Sequence, residues 1–453
     1  MIKKFILKYW PLIFFVALFI LYSHPYLFFG KIPFPSSYLA NELAPWNSYL
    51  NGGPVKNGIP DVGGEIYPMR SLLVDYLKNG WWPLWNPYVF SGTPFLANFQ
   101  SAAFFPLNFL FLFLSKVDAW SILILLQPLL AGIFMYLFVK SLKVSGAGAA
   151  FSAVAFAFSG YLTVWGSYGT IGYSVLCFPL VLFLVEKYIQ DRKLIFLPML
   201  TLVLAISFFA GHIQSFMYVF MGTVIYFLVR QFSDKGIFKK DTIVVMIFIL
   251  SSLLLVSLQL LPTLEFYLNS SRALVVNNAQ NIGIPVQYLL TLFAPDFFGN
   301  PVTRNDWFGT YAEWMGYAGL STLLLFLVSV LNIKTNKKIW PVVFILIVGL
   351  LLSIKSPVLE LISKFPIPIL SNSNPSRAIV LFTFSLCVLA GFGFDNFFSK
   401  EKSNNRKNIY ALGIISLAVI IAVIAVFTGN YFFAPDIAEK LKLISLRNLF
   451  LPI

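Results

Sequence analysis

"FFPLNFLFLFL", residues 104–114, is the stretch whose reading decides the fold. It is apolar but eleven residues long, and a helix that crosses a bilayer needs about 20. On either side the chain carries runs that are long enough. They cover about 10–29, 119–139, 146–165, 171–186, 194–210, 213–230, 242–264, 313–332, 339–354, 376–395 and 409–428. The chain has 453 residues, 58% hydrophobic and only 11% charged, against about 25% charged in soluble domains. The class is a polytopic membrane protein. Runs of this length exceed barrel strands, so about eleven transmembrane helices are expected.

Charge sorts the loops and tests the short run. Basic residues gather in six short segments: Lys3, Lys4 and Lys8; Lys140 and Lys143; Lys187, Arg192 and Lys193. The series continues with Arg230, Lys235, Lys239 and Lys240; Lys334, Lys337 and Lys338; Lys400, Lys402, Arg406 and Lys407. Short basic loops stay in the cytoplasm, which puts the N-terminus inside and the cell-surface chemistry outside. A full span at 104–114 would invert every later loop and break this pattern, so the stretch reads as a re-entrant or interfacial helix. The formal net charge of +14 thus has a topological origin, and nucleic acid is not an expected partner. The basic start and the apolar run 10–29 lack a small-residue cleavage pattern and read as an uncleaved first helix. Cys177 and Cys387 each sit inside an apolar run and are read as packing residues.

Most polar groups able to do chemistry then fall on one face. They are Glu42, Asp61, Glu65, Arg70, His212, Gln214, Glu265, Arg272, Asp296, Glu313 and Arg377. The first outer loop, about 30–118, holds "NELAPW" (41–46), "DVGGEIYPMR" (61–70) and "WWPLWNPYVFSGTP" (81–94). Asp61 and Glu65 share a face if that turn is helical. Leu72, Leu73, Tyr76 and Leu77 repeat at helical spacing and predict a short amphipathic helix in the interface, ended by Gly80. Three prolines deny helix to the 81–94 stretch. Its aromatics fit either a belt at the membrane boundary or a rigid turn over the outer mouth, where Trp82, Trp85, Asn86 and Tyr88 would meet a sugar. A carboxylate within hydrogen-bond reach deprotonates a hydroxyl, and arginine suits phosphate. Outer carboxylates beside Arg272 and Arg377 therefore fit a phosphate-linked donor and a hydroxyl acceptor. The bland readings are helix capping for His212, mutual pairing for Glu265 and Arg272, and snorkelling for Arg377. Glu313, at a span's outer end, is costly unless paired or hydrated.

Six segments in order, "DVGGEIYP", "WWPLWNPYVFSGTPFLANFQSAAFFPLN", "AGHIQSFMY", "QLLPTLEFYLNSSR", "YAEWMGYAG" and "NPSRAIVLFTFSLCVLAGFGFD", resemble the bacterial YfhO-like membrane proteins. These in turn are similar to the GT-C superfamily of integral membrane glycosyltransferases. The resemblance runs from the first span to about residue 397. It implies a GT-C-like module over 1–428, with outer loops at about 30–118 and 265–312. It also implies sugar transfer from a polyprenyl-phosphate-linked donor to an envelope polymer, teichoic-acid-type included, or to a lipid acceptor outside the cytoplasmic membrane. Asp61 best matches the family's first-loop acid. Glu65 stands where relatives often carry glutamine, and Glu42 is a second option for the base. Arg70, His212, Gln214, Glu265, Arg272, Glu313 and Arg377 are then expected to contact substrate. No cofactor is required, although paired acids leave a divalent cation open. Residues 429–453 read as an extracytoplasmic tail, the start of a further C-terminal region.

Two other readings stand beside this one. A transporter or flippase of lipid-linked sugars would keep its charges near the membrane midplane, where this chain has almost none. A non-catalytic envelope assembly factor needs no acid at the outer mouth.

Overall fold

The polar breaks between apolar runs decide where helices start. Ser115, Ser145 and Ser159 each cap one, accepting from the backbone N–H three residues on, as N-cap serines do. The computed structural model describes residues 2–36, 44–49, 61–233, 239–274, 283–303, 305–332, 337–364, 373–398, 438–450 and parts of 408–424. Glu42 and the side chain of Arg272 lie outside the described part. The helices are α1 (Ile2–Phe29), α2 (Tyr67–Lys78), α3 (Lys116–Ser141), α4 (Gly146–Ala157) and α5 (Gly160–Trp165). Next come α6 (Ile171–Asp191), α7 (Phe196–Phe209), α8 (Ile213–Ser233), α9 (Lys239–Leu255) and α10 (Ser257–Leu268). The last are α11 (Leu320–Leu331), α12 (Trp340–Ser353), α13 (Ile379–Phe397) and α14 (Ala438–Phe450). One two-residue hairpin, β1 (Trp85–Asn86) with β2 (Thr93–Pro94), stands among them.

Among the described residues four helices are long and apolar enough to cross a membrane: α3, α6, α8 and the 375–397 segment that contains α13. Two bent pairs bring the number to six: α4 with Gly160–Tyr168, turned by 43°, and α9 with α10, turned by 62°. The apolar helices Ile13–Phe29, α7, α11 and α12 are shorter, and the run at 409–428 is described only in part. The described residues thus carry helix along most predicted runs, with four to six candidate spans among them.

Three departures from the expected spans matter for the site. The run at 146–165 breaks at Phe158, and Ser159 caps the second piece. The run at 242–264 breaks at Val256. The run at 313–332 becomes helical only at Leu320. Residues 313–319 are instead held non-helical against α5, where Gly160 N–H donates to Tyr317 O at 2.7 Å. A Cβ on Gly160 would lie 2.6 Å from the Met315 side chain, so this close approach requires glycine.

Residues 104–114 do not span. They form a 3-10 turn (Pro106–Phe109) and one α-turn (Leu110–Phe113). The predicted amphipathic helix is α2, which ends two residues before Gly80. Asp61 leads into a π-helical turn, Val62–Ile66, so the two glycines there widen the helix instead of breaking it.

The core lies where α6 and α13 are enclosed by the others. Phe138, Phe156, Phe178 and Phe384 meet there, the Phe178 and Phe384 ring centres 4.4 Å apart. Cys177 and Cys387 are buried free thiols. At one end of the bundle the basic segments come together: Gln190 donates to Ser141 O, and Arg192 pairs with Asp241 at 2.8 Å. In the same half a buried ion pair joins Glu186 to Arg230 at 2.7 Å, with Tyr226 donating to the same carboxylate. The long connections occupy the opposite end.

Candidate functional site

Three segments far apart in sequence meet at the loop end. Arg377, on the 3-10 turn that leads into α13, grips Glu313 with two nitrogens: Nε to Oε2 at 2.7 Å and Nη2 to Oε1 at 2.5 Å. Its Nη1 lies 3.1 Å from His212 Nε2 and 3.2 Å from Gln214 Oε1. The guanidinium stacks over Trp165, 4.9 Å from the ring centre. Gln214 also donates to Tyr218 Oη and to the carbonyl of Asn374. A guanidinium only donates, so His212 Nε2 accepts, and its Nδ1–H donates to Ser215 Oγ at 2.8 Å. The Ser215 backbone N–H, 3.2 Å from Nδ1, is the longer competitor for that nitrogen. Burial first, and the Arg377 charge second, hold the imidazole pKa well below its ordinary range. His212 is therefore a neutral acceptor at any physiological pH.

This network answers the cost of placing Glu313 at a span end: the acid is paired. Every guanidinium nitrogen of Arg377 has a partner within the protein.

Arg70 is likewise committed. It is fully buried, with Nη1 donating to Asn108 Oδ1 at 3.0 Å, Nη2 reaching Gly169 O at 3.5 Å and Phe105 beneath it. Nε has no partner. Burial lowers its pKa to about 10, with Tyr173 acting weakly the other way. Asn108 comes from the 104–114 stretch and also donates to Ala102 O at 2.6 Å. Arg70 thus braces the first loop against the α5–α6 connection and is not a surface contact for substrate.

Asp61 is exposed and has neither a hydrogen-bond nor an ion-pair partner among the described residues. Its turn packs on Gly166–Tyr168, and Tyr168 feels the charges of Asp61, Arg377 and Glu313 together. The free carboxylate and the Arg377 network therefore flank one tyrosine. Glu65 is half-buried on the same turn. Glu265 is exposed on α10, its side chain unpaired among the described residues, and does not join the network.

Next to this group lies a cavity of 730 Å³ between α1, α3 and the α4–α5 bend. Ligand pockets typically span about 300–1,000 Å³. Its walls are apolar along Tyr22, Ile124, Pro128, Phe158 and Leu162, and polar at Gln127, Thr163, Ser167, Asn300 and Tyr311. Phe34 on its rim stacks edge-on with Tyr67, 5.3 Å away, just after the Asp61 turn. Behind the polar end, Asp296 accepts from Tyr311 Oη at 2.6 Å and from Asn300 Nδ2 at 3.0 Å. α14 holds this loop through Asn448 to Asp296 O and Ser445 to Phe297 O.

Trp82, Trp85, Asn86 and Tyr88 are not on the cavity wall. Asn86 is buried under its own hairpin, accepting from Tyr88 N–H at 3.0 Å, while the three aromatics are exposed. Sequence reading gave no role to Gln127, Trp165, Tyr168, Asn300 or Tyr311, because nothing in their spacing ties them to a motif. For Asp296 only its placement on the outer face was legible. Among the described residues no three His, Cys, Asp or Glu side chains gather as a metal-ligand set.

No curated protein matches the chain. A family model described as "Bacterial membrane protein YfhO" matches residues 95–451. The match extends past residue 397 through α14, and begins after the Asp61 turn and the whole hairpin. It contains every residue of the Arg377 network, and by that match the chain belongs to the bacterial YfhO membrane-protein family.

Proposed function

We propose that the protein is a membrane glycosyltransferase. It moves a sugar from a polyprenyl-phosphate carrier to a hydroxyl of an envelope polymer, teichoic-acid-type or similar, or of a lipid, on the extracytoplasmic face. The observation that carries this reading is the cavity whose wall includes Gly166 and Ser167, in the turn that the Asp61 turn packs against. Its apolar wall residues suit an isoprenoid chain, its polar ones suit a sugar phosphate, and Asp61 has no partner among the described residues to neutralise it.

In this reading the acceptor O–H attacks the anomeric carbon of the donor. The new C–O bond forms as the bond from that carbon to the phosphate oxygen breaks. The electron pair leaves with polyprenyl phosphate, and the acceptor proton passes to Asp61. Glu65, on the same turn, and Glu42 are the other carboxylates of the loop that the resemblance offers for the base. The Glu313–Arg377–His212–Gln214 network holds Trp165, which packs on Tyr168, and so supports the turn that the Asp61 turn packs against. No step requires a metal, and a divalent cation remains compatible with the phosphate chemistry.

The test uses membranes holding wild type or Asp61→Asn and a radiolabelled polyprenyl-phosphate sugar. A general base contributes about 10²–10⁴-fold to rate, so loss of that order is expected with protein level unchanged. Full transfer by the variant removes Asp61 from the role. Wild-type membranes that transfer no sugar from any such donor overturn the reading itself.

A further inference from the structure

The hairpin of residues 81–94 carries its largest apolar groups outward. Phe90 is 92% exposed, Tyr88 80% and Trp82 70%. Its tip is a tight turn closed by Gly92 N–H donating to Val89 O at 2.9 Å. The two central residues, Phe90 (φ 49°) and Ser91 (φ 62°), are both left-handed. Such turns favour asparagine and glycine, and a bulky residue at positive φ is an outlier that calls for a functional cause. A Cβ on Gly92 would lie 2.5 Å from the Trp85 indole, so glycine lets that ring lie flat across the turn. The hairpin is built, at conformational cost, to present aromatic groups that the described residues leave exposed.

Its base is tied to a lipid-facing element. Gln259 and Thr263, four apart on α10, donate to Leu96 O and Ala97 O just after the hairpin. The opposite side of α10 exposes Leu258, Leu261 and Leu268. α10 belongs to an apolar run and is turned by 62° from α9, so it leaves the direction of the span and leans toward the membrane surface. The two turns of 106–113 add Phe109 and Phe113, also exposed. An apolar surface of this size does not face water in a stable monomer. Tryptophan and tyrosine concentrate at headgroup level.

We propose that the hairpin tip inserts into the lipid interface at the loop end of the bundle, continuing the lipid-facing surface of α10. The ligand is the bilayer itself. Tyr76 Oη donates to Trp85 O at 2.8 Å, and α2 runs straight on from the Asp61 turn. The inserted hairpin thereby fixes the height of Asp61 above the lipid phosphates. The inference does not depend on the activity proposed above.

Phe90→Cys in the full chain, labelled with an environment-sensitive fluorophore, tests it, because Cys177 and Cys387 are buried and stay unlabelled. The protein is reconstituted into phosphatidylethanolamine–phosphatidylglycerol vesicles, with exposed Thr303→Cys as the aqueous control. Emission at position 90 is expected to shift to the blue and to be lost to a spin-labelled lipid but not to iodide, with the reverse at position 303. Tyr88→Cys repeats the measurement should Phe90→Cys fail to fold. Quenching by iodide at position 88 or 90, as at the control, overturns the proposal. Protection from both quenchers also overturns it, since the tip would then be covered by protein.

Discussion

Replacing Glu313 by glutamine keeps the shape of the Arg377 network and removes one charge. The Glu313 and Arg377 side chains are 15% and 21% exposed, so the pair is mostly but not wholly withdrawn from solvent. Removing one partner of a fully buried pair costs about 3–5 kcal/mol, because it strands the other charge. Scaling for the residual exposure leaves about 2–3 kcal/mol in this case. An unfolding entropy of about 1 kcal/mol per kelvin for a chain of 453 residues turns that into a drop of roughly 2–3 °C in melting temperature. Fluorescence-detected unfolding in detergent reads it directly. The double variant Glu313→Leu with Arg377→Met should recover most of the loss, since an apolar replacement of both partners is often neutral, while sugar transfer stays lost. A Glu313→Gln protein that melts with the wild type shows that the pair is not the brace described here. Transfer at wild-type level in the double variant shows that the network does not set the site.

At the opposite end, Glu186→Gln removes the carboxylate that accepts from both Arg230 Nε and Tyr226 Oη, in a site where Glu186 and Arg230 are 0% and 6% exposed; a loss of about 1.5–3 kcal/mol is expected, read as lower yield and earlier melting. Because Glu186 lies far from the cavity, the specific transfer activity of the surviving folded protein should not change. His212 gives the fold a pH dependence: its folded pKa is depressed, so below the unfolded value near 6.5 the unfolded chain binds a proton that the folded one refuses. Stability then rises with pH up to about that value and falls on the acid side by at most about 1.4 kcal/mol per pH unit, and melting curves between pH 5 and 7.5 should flatten in His212→Gln.

What the residues made legible follows from where physical constraint is strong. Polar side chains at span ends are costly in lipid, so His212, Gln214, Glu313 and Arg377 could be gathered on one face before their partners were known. The amphipathic α2 announced itself through its 3.6-residue period, and the non-spanning 104–114 stretch through its length. The bends at Phe158 and Val256 were not legible, because hydropathy continues unbroken through both and only Ser159 offers a cap. Arg70 was read as a surface group. Its burial depends on Asn108, thirty-eight residues away, and on a backbone carbonyl, neither of which leaves a local pattern. The hairpin aromatics were visible as a cluster, but which way they point is set by the left-handed turn at Phe90 and Ser91. That conformation has no signature in a Phe-Ser pair.

The broken helices and the site have a common cause. Within lipid every backbone N–H and C=O needs an internal partner, and irregular backbone survives at membrane depth only where protein covers it or a cavity receives it. Three apolar runs lose their helix, at Phe158, at Val256 and before Leu320, and the freed backbone is used. Near Phe158, Gly166 O accepts from Gln127 at 2.6 Å, and Gly160 N–H meets Tyr317 O at 2.7 Å. The interrupted 313–319 segment brings Glu313 to Arg377, and the piece after Ser159 brings Trp165 and Tyr168 to the same place. A continuous helix through either run would satisfy its own backbone and fill the space where the cavity now lies. The departures from regular helix are therefore what open this end of the bundle, and the residues that secure them, Ser159, Gly160, Gln127 and the Glu313–Arg377 pair, define the site as much as the nearby Asp61 turn does.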